Sequence, residues 1–294
     1  MTNIDEVIRE CSMEDLWNIW FTELYKKGAG LTLKIKKIIY SGQSDFQQID
    51  VFENSVFGRV LVLYGSIMIT EKDEFVYHEM ISHVPLCVHP APEKVLVIGG
   101  GDGGTVREVV KHPRVKEVLL VEIDKMVVDV CKRYFPEVSK EFDNPKVRIR
   151  YDDGAKFISE TEERFDVIIV DSADPIGPAE VLFQKTFHQH IYDKLNDDGI
   201  FVPQSESPFF NQDTVRKMYR NLKGIFPIVA PYIAFVPTYP SGLWSFTFCS
   251  KKYHPIKDID KRYLKGLALS AKYYNQDIHK AAFVLPNFFK ELIK

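Results

Sequence analysis

Residues Lys94 to Val110 read KVLVIGGGDGGTVREVV, and this stretch decides the fold. Val95 to Ile98 form a continuous apolar run, the pattern of a strand buried on both faces. Gly99, Gly101 and Gly104 follow in G-x-G-x-x-G spacing, and a helical pattern opens directly behind them. A strand that delivers a glycine turn to a helix N-terminus is the nucleotide-binding unit of a doubly wound sheet. Four further strand-like runs follow: VKEVLLVEID (115–124), KVRIRYDD (146–153), FDVIIVDS (165–172) and GIFVPQSE (199–206). Their spacing leaves room for crossover helices. IVAPYIAFVP (228–237) and SGLWSFTFCS (241–250), joined at Tyr239-Pro-Ser-Gly, read as a closing antiparallel hairpin. A ligand should therefore sit beyond the carboxyl ends of the parallel strands.

Upstream of residue 71 the texture differs. LTLKIKKII (31–39), FQQIDVFEN (46–54) and FGRVLVLYGSIMIT (57–70) are short alternating runs punctuated by Gly42, Asn54, Gly58 and Gly65. They read as hairpins of a small antiparallel sheet, with Lys34, Lys36 and Lys37 on the wet face of a strand. DEFVYHEMISHVPL (73–86) places Tyr77, Ile81 and Val84 on one helical face. The expected domains are 1–70, a β-hairpin domain, and 71–294, the catalytic domain.

Bulk properties exclude several classes. A formal charge of -3 gives no basic footprint for nucleic acid. The acidic N-terminus lacks a signal core, and no apolar run is long enough for a membrane span. Cys11, Cys87, Cys131 and Cys249 lie far apart without a C-x-x-C pair, which argues against a zinc site and against a disulfide framework. The expectation is a reduced, cytoplasmic protein with no metal.

Asp102 stands inside the glycine turn, where a dinucleotide would place its pyrophosphate. Two negative groups in contact there repel by roughly 1–4 kcal/mol, depending on the effective dielectric. A phosphate-free cation such as an adenosyl sulfonium would be welcomed instead, provided Asp102 does not point away into solvent. Glu122 ends the next strand, where a ribose-binding acid belongs. Asp153 and Gly154 follow the third strand, near the expected adenine edge; Asp153 also reads as a helix N-cap, and both roles can hold. VIIV then delivers Asp171 to the sheet edge, Asp174 follows three residues later, and Pro175, Gly177 and Pro178 make an irregular loop. Two such aspartates beside a nucleoside site suit an amine better than an anion. Read alone they are equally well an N-cap and a turn residue.

GGGDGG, D-S-x-D-P-x-G-P, DEFVYHEM and PTYPSG together resemble the signatures of the spermidine synthase family, in its order and at similar distances. The resemblance runs from about Trp20 to the end of SFTFCSKK. The fold it implies is α/β, a doubly wound Rossmann-like, methyltransferase-type sheet with a small N-terminal antiparallel β domain. It implies an aminopropyltransferase that joins decarboxylated S-adenosylmethionine, a co-substrate rather than a cofactor, to a diamine. Putrescine is the default acceptor, with agmatine or cadaverine as alternatives. By similarity Asp171 is the general base and Asp174 anchors the remote amine, while Tyr77 and Tyr239 flank the acceptor. Gln47, His78, Asp102, Glu122, Asp153 and Gly154 would hold the nucleoside, under a loop carrying Pro178. Trp20 and Gln204 would border the diamine pocket. Relatives associate with themselves, so a homodimer or homotetramer is expected. Where relatives commonly read L-D-G-x-x-Q, this chain has Tyr64 and Met68 in place of Asp and Gln, which puts any contact from those positions in doubt.

Three rivals remain on the residues alone. A methyltransferase would have to seat the donor's carboxylate among Asp102, Asp171 and Asp174, and a nicotinamide dehydrogenase its pyrophosphate against Asp102. A non-catalytic polyamine-binding protein would have no need of the Asp171, Asp174 and Tyr77 set. His188 and His190 are expected on the surface of a helix, and Trp244 in packing around the last strand.

Overall fold

The computed structural model describes residues 18–26, 28–175, 177–268 and 271–294. The chain divides into two compact units, one ending at Lys72 and the other beginning at Asp73.

The first unit is all β. Strands β1 (Trp20–Lys26) and β2 (Ala29–Lys34) form a two-stranded antiparallel ladder. Strands β3 (Lys37–Gln43), β4 (Gln48–Asn54), β5 (Gly58–Leu63) and β6 (Ser66–Thr70) form a separate four-stranded meander. LTLKIKKII is therefore not one strand, as its alternation suggested, and the unit holds two sheets rather than one. The chain changes ladder at its middle: the Ile35 N–H bonds the Ile19 carbonyl, and the Lys36 N–H bonds the Glu53 carbonyl, both at 2.8 Å. Ile38 is consequently 60% exposed, against 6% for Leu33. Strand β1 went unread because WFTELYK alternates without a turn signal ahead of it.

The second unit carries a seven-stranded sheet. Its strands are β7 (Lys94–Gly99), β8 (Glu117–Glu122), β9 (Val147–Tyr151), β10 (Phe165–Asp171), β11 (Leu195–Pro203), β12 (Ile228–Phe235) and β13 (Leu243–Ser250), in the order β12-β13-β11-β10-β7-β8-β9. Strands β7 to β11 run parallel, and β12–β13 is the antiparallel hairpin at one edge. Strand order reverses between β7 and β10, and there Asp171 lies in register with Gly99. A doubly wound sheet opens its ligand crevice at such a point.

The apolar strand runs are continuous because alternate residues feed two cores. Val95 and Val97, with Val167 and Ile169, face one cluster; Leu96 and Ile98, with Ile168 and Val170, face the other. Each such side chain contributes about 1.5–3 kcal/mol when fully buried. The first core lies under α1 (Glu74–Leu86), α2 (Gly104–Val110) and α3 (Lys125–Tyr134); the second lies under α4 (Gly154–Glu160), α5 (Lys185–Lys194) and α6 (Gln212–Lys223).

Helix α1 is buried all round, not along the single face that Tyr77, Ile81 and Val84 suggested. One cause is the C-terminal segment, with helices α7 (Lys261–Ala268), α8 (Gln276–Ala282) and α9 (Asn287–Leu292). Three successive backbone N–H groups, from Lys272, Tyr273 and Tyr274, converge on the Glu79 carboxylate at 2.8 Å each. His83 contacts His112 at 3.0 Å, and the Tyr263 hydroxyl closes that chain at 2.7 Å. The tail thus buttresses the helix that carries Tyr77 and His78. His188 is also corrected: it is buried against Phe201, whereas its partner His190 is exposed. Helical spacing sent the two histidines to different faces, and one of those faces is the core. Trp244 packs in the core as expected. No helix among the described residues is long and apolar enough to cross a membrane.

Candidate active site

The glycine turn connects β7 to α2, and its glycines are needed by the chain's own carboxylates. A Cβ on Gly100 would lie 2.8 Å from Asp171 Oδ2, and one on Gly101 2.9 Å from Glu122 Oε2. The turn is thus packed against two acids. Asp102 points inward: its Oδ1 accepts the Gly104 N–H at 2.7 Å and His78 Nε2 at 3.1 Å. The escape to solvent that would have weakened the reading does not occur.

His78 is clasped on both nitrogens. Nδ1 lies 2.6 Å from Glu74 Oε2, one helical turn earlier, and two Arg107 nitrogens fork onto the two Glu74 oxygens at 3.0 and 2.8 Å. Burial pushes the imidazole down, but Asp102 and Glu74 outweigh it and carry His78 up to about 10. Burial likewise raises Glu74, yet His78 and Arg107 overcome it and hold that carboxyl at about 2. Arg107, Glu74, His78 and Asp102 therefore form one chain of alternating charge. Sequence reasoning missed its first two members, although the i, i+4 spacing of Glu74 and His78 was a readable signal.

Glu122 is buried at the end of β8 and accepts the Asp124 N–H at 2.9 Å. Burial, with the charges of Asp124, Asp102 and Asp171, raises it to about 7. Asp153 caps α4 by accepting the N–H groups of Ala155 and Lys156, and its side chain is exposed. Gly154 is buried because a Cβ there would meet Ile98 at 2.3 Å.

Asp171 occupies the centre. Its Oδ1 accepts the Tyr77 hydroxyl at 2.8 Å, and its Oδ2 accepts the Thr105 hydroxyl at 2.6 Å. Burial and the Asp102 charge raise its carboxyl, while His78, Thr105 and Tyr77 oppose them. The Tyr77 and Tyr239 rings lie 5.6 Å apart, and Tyr239 meets Trp244 edge-on at 4.8 Å. Asp73 ties these two tyrosines together: its carboxylate accepts both the backbone N–H and the hydroxyl of Thr238. One end of α1 is thereby fixed to the β12–β13 turn.

Beyond Asp171, Asp174 shares a hydrogen bond with Glu206. Glu206 is fully buried, takes φ 67, and accepts from Gln204 at 3.0 Å and from Asn211. A left-handed backbone at a glutamate is a strained conformation of the kind found at working sites. Burial and Asp174 push its carboxyl up to about 8. The sequence reading of PQSE stopped at Gln204. That amide is committed to the protein, donating to the Ser172 carbonyl at 3.3 Å as well as to Glu206. Pro178 lies in the 3-10 turn Gly177–Phe183. Trp20 and Gln47 belong to the first unit: Trp20 opens β1 and is half exposed, and Gln47 closes the loop before β4 by bonding Ser44.

Among the described residues, one group has donor atoms close enough to share a metal ion, His78, Asp102 and Asp171, all within 4.8 Å. Hydrogen bonds within the protein already engage each of the three. The set is a network of two acids around one imidazolium.

Comparison with known proteins bears on this arrangement. Residues 74–261 match the family model described as the spermine/spermidine synthase domain, and residues 19–71 match the spermidine synthase tetramerisation domain. A polyamine aminopropyltransferase of Caldicellulosiruptor bescii is 49% identical over 94% of this chain and 98% of its own length. A polyamine aminopropyltransferase of Methanocaldococcus jannaschii is also 49% identical, over 94% and 96% of the two chains. A crystal structure of a spermidine synthase in complex with the transition state analogue AdoDATO superimposes with a TM-score of 0.92. It is 45% identical and covers 97% of this chain and 99% of its own.

Proposed function

The chain belongs to the spermidine synthase family and is a polyamine aminopropyltransferase; from that premise we propose that it moves the aminopropyl group of decarboxylated S-adenosylmethionine to putrescine. The observation that carries this reading is the lining of the glycine turn. Asp102, Glu122 and Asp171 meet where a dinucleotide enzyme would seat a phosphate. Such a lining favours a ligand with positive charge and no phosphate.

The donor nucleoside lies along the turn, with Glu122 accepting from the ribose hydroxyls, Asp153 and Gly154 at the adenine, and Asp102 and His78 beneath the sulfonium side. By family similarity, the loop carrying Pro178 covers the nucleoside. The acceptor lies between Tyr77 and Tyr239, its remote ammonium on Asp174 and its reacting end beside Asp171, with Gln204 at the border.

Chemistry then requires one proton transfer. An alkylammonium has a pKa near 10, like that of lysine, and cannot attack until deprotonated. Asp171 accepts that proton, and burial makes it a stronger base than an exposed aspartate. The freed nitrogen lone pair attacks the carbon beside sulfur and forms the C–N bond. The C–S bond breaks, its electron pair passes to sulfur, and neutral methylthioadenosine leaves without acid assistance. Alignment by Asp174 and the tyrosines can lower the barrier by roughly 7–11 kcal/mol when the geometry is good.

The chain assembles as a homodimer or homotetramer, a reading supported by the match of its first unit to a tetramerisation domain. The test of the catalytic reading is Asp171→Asn. Turnover of putrescine should fall by roughly 10²–10⁴-fold, while calorimetry should find methylthioadenosine binding nearly unchanged. Wild-type turnover in that variant at neutral pH would remove Asp171 as the base.

A further inference from the structure

Thr105 holds a hydroxyl for which the reaction described above has no use. It is the second residue of α2 and is fully buried. A threonine hydroxyl inside a helix commonly bonds back to a carbonyl of its own preceding turn. Here it crosses to the end of β10 and donates to Asp171 Oδ2 at 2.6 Å. The other carboxylate oxygen is taken by the Tyr77 hydroxyl from α1, at 2.8 Å. Two donors on two helices thus grip one carboxylate by its two oxygens. Thr105 is in turn pinned to α1, since its carbonyl accepts from Ser82 Oγ at 3.4 Å. A carboxylate has about four acceptor sites, so two remain for an incoming amine.

We infer that Thr105 is a positioning residue for the proton acceptor: together with Tyr77 it fixes a single orientation of Asp171 and leaves the remaining lone pairs to the substrate amine. This inference rests on the reading of Asp171 as the base. The charged and titratable groups around that carboxylate are Tyr77 and His78 from α1, Asp102 from the glycine turn, Glu122 from β8, Tyr239 from the β12–β13 turn, and Asp174 farther along its own loop. Asp102 and Glu122 favour a protonated Asp171, and the His78 charge opposes them. The Thr105 hydroxyl, by donating to the ionised form, also opposes them. Its loss therefore leaves a trace in pH that a packing defect does not.

The experiment follows kcat against pH at saturating donor and putrescine in the wild type, Thr105→Val, Thr105→Ser and Asp171→Asn. Thr105→Val should displace the acid limb upward by about one pH unit, with both KM values little changed and methylthioadenosine affinity held. Thr105→Ser, which keeps the hydroxyl, should restore the limb. Thr105→Ala removes the hydroxyl with less bulk, and should repeat the displacement if the valine variant folds poorly. A limb that stays in place in the valine and alanine variants, or moves as far in the serine variant, would overturn the inference. Asp171→Asn separates the two failures: wild-type kcat there defeats the base reading itself, whereas an inactive Asp171→Asn beside an unmoved limb defeats only the role of Thr105.

Discussion

At the scale of single residues, the fold sets the ionisation of each acid separately: His78 and Arg107 hold Glu74 low, while burial pushes Glu122 and Glu206 up. Glu206 is the sharpest case, a carboxyl fully buried beside Asp174 and raised from 4.5 to about 8. The folded protein holds that proton across a range in which the unfolded chain has already lost it. Its contribution to stability is therefore complete below about pH 4.5 and disappears as pH rises towards about 8. Glu206→Gln should flatten this decline, so its thermal midpoint should fall less between those limits than that of the ligand-free wild type. Parallel decline in the two proteins would show that Glu206 does not carry the proton. Asp171, Asp174, Asp102 and Glu122 were legible in the sequence because each follows directly from a strand end or a turn. Glu206 was not, because its carboxyl reaches Asp174 only through a left-handed backbone that PQSE does not announce. Thr105 was hidden for a related reason: a threonine behind a glycine turn reads as helix, and nothing local says which way its hydroxyl turns.

Among the elements, the joint between the glycine turn and α1 is tightly packed. A Cβ at Gly104 would lie 2.2 Å from the His78 ring, which the Glu74 and Asp102 clasps leave no room to retreat. Gly104→Ala should cost about 1–3 kcal/mol of unfolding free energy, as overpacking does. Gly224, just after α6, meets nothing nearer than 3.5 Å and has an ordinary right-handed backbone. Gly224→Ala is thus the matched control, with an expected gain of about 0.4–1 kcal/mol. Denaturant titration of both variants checks the pair, and equal effects would mean that the close approach at His78 is not a constraint. The strand–turn–helix reading of 94–110 was secure because a doubly buried strand has no competing explanation beside such a turn. Alternation in LTLKIKKII was less informative, since period two reports an extended chain and not which ladder it joins. The burial of α1 was also beyond local pattern, because the tail that covers its outer face is almost 200 residues away in sequence, Glu79 bonding Tyr274.

For the whole molecule, the net charge of -3 conceals the feature that matters. Acids gather at the switch point of the sheet, where doubly wound enzymes more often place an anion cradle. His78 contacts this group and is already shared between Glu74 and Asp102. This concentration of carboxylates could be foreseen from the topology, because every parallel strand delivers its last residues to the same edge. The acceptor's length could not be foreseen, since it depends on side chains from distant loops meeting across a pocket. The measurement that tests the central claim most directly is a calorimetric comparison of S-adenosylmethionine with its decarboxylated form on the same ligand-free protein. A lining of carboxylates should reject the donor's extra carboxylate, so the decarboxylated form should bind at least about tenfold more tightly. Equal affinity, or preference for the form that keeps its carboxylate, would contradict the account.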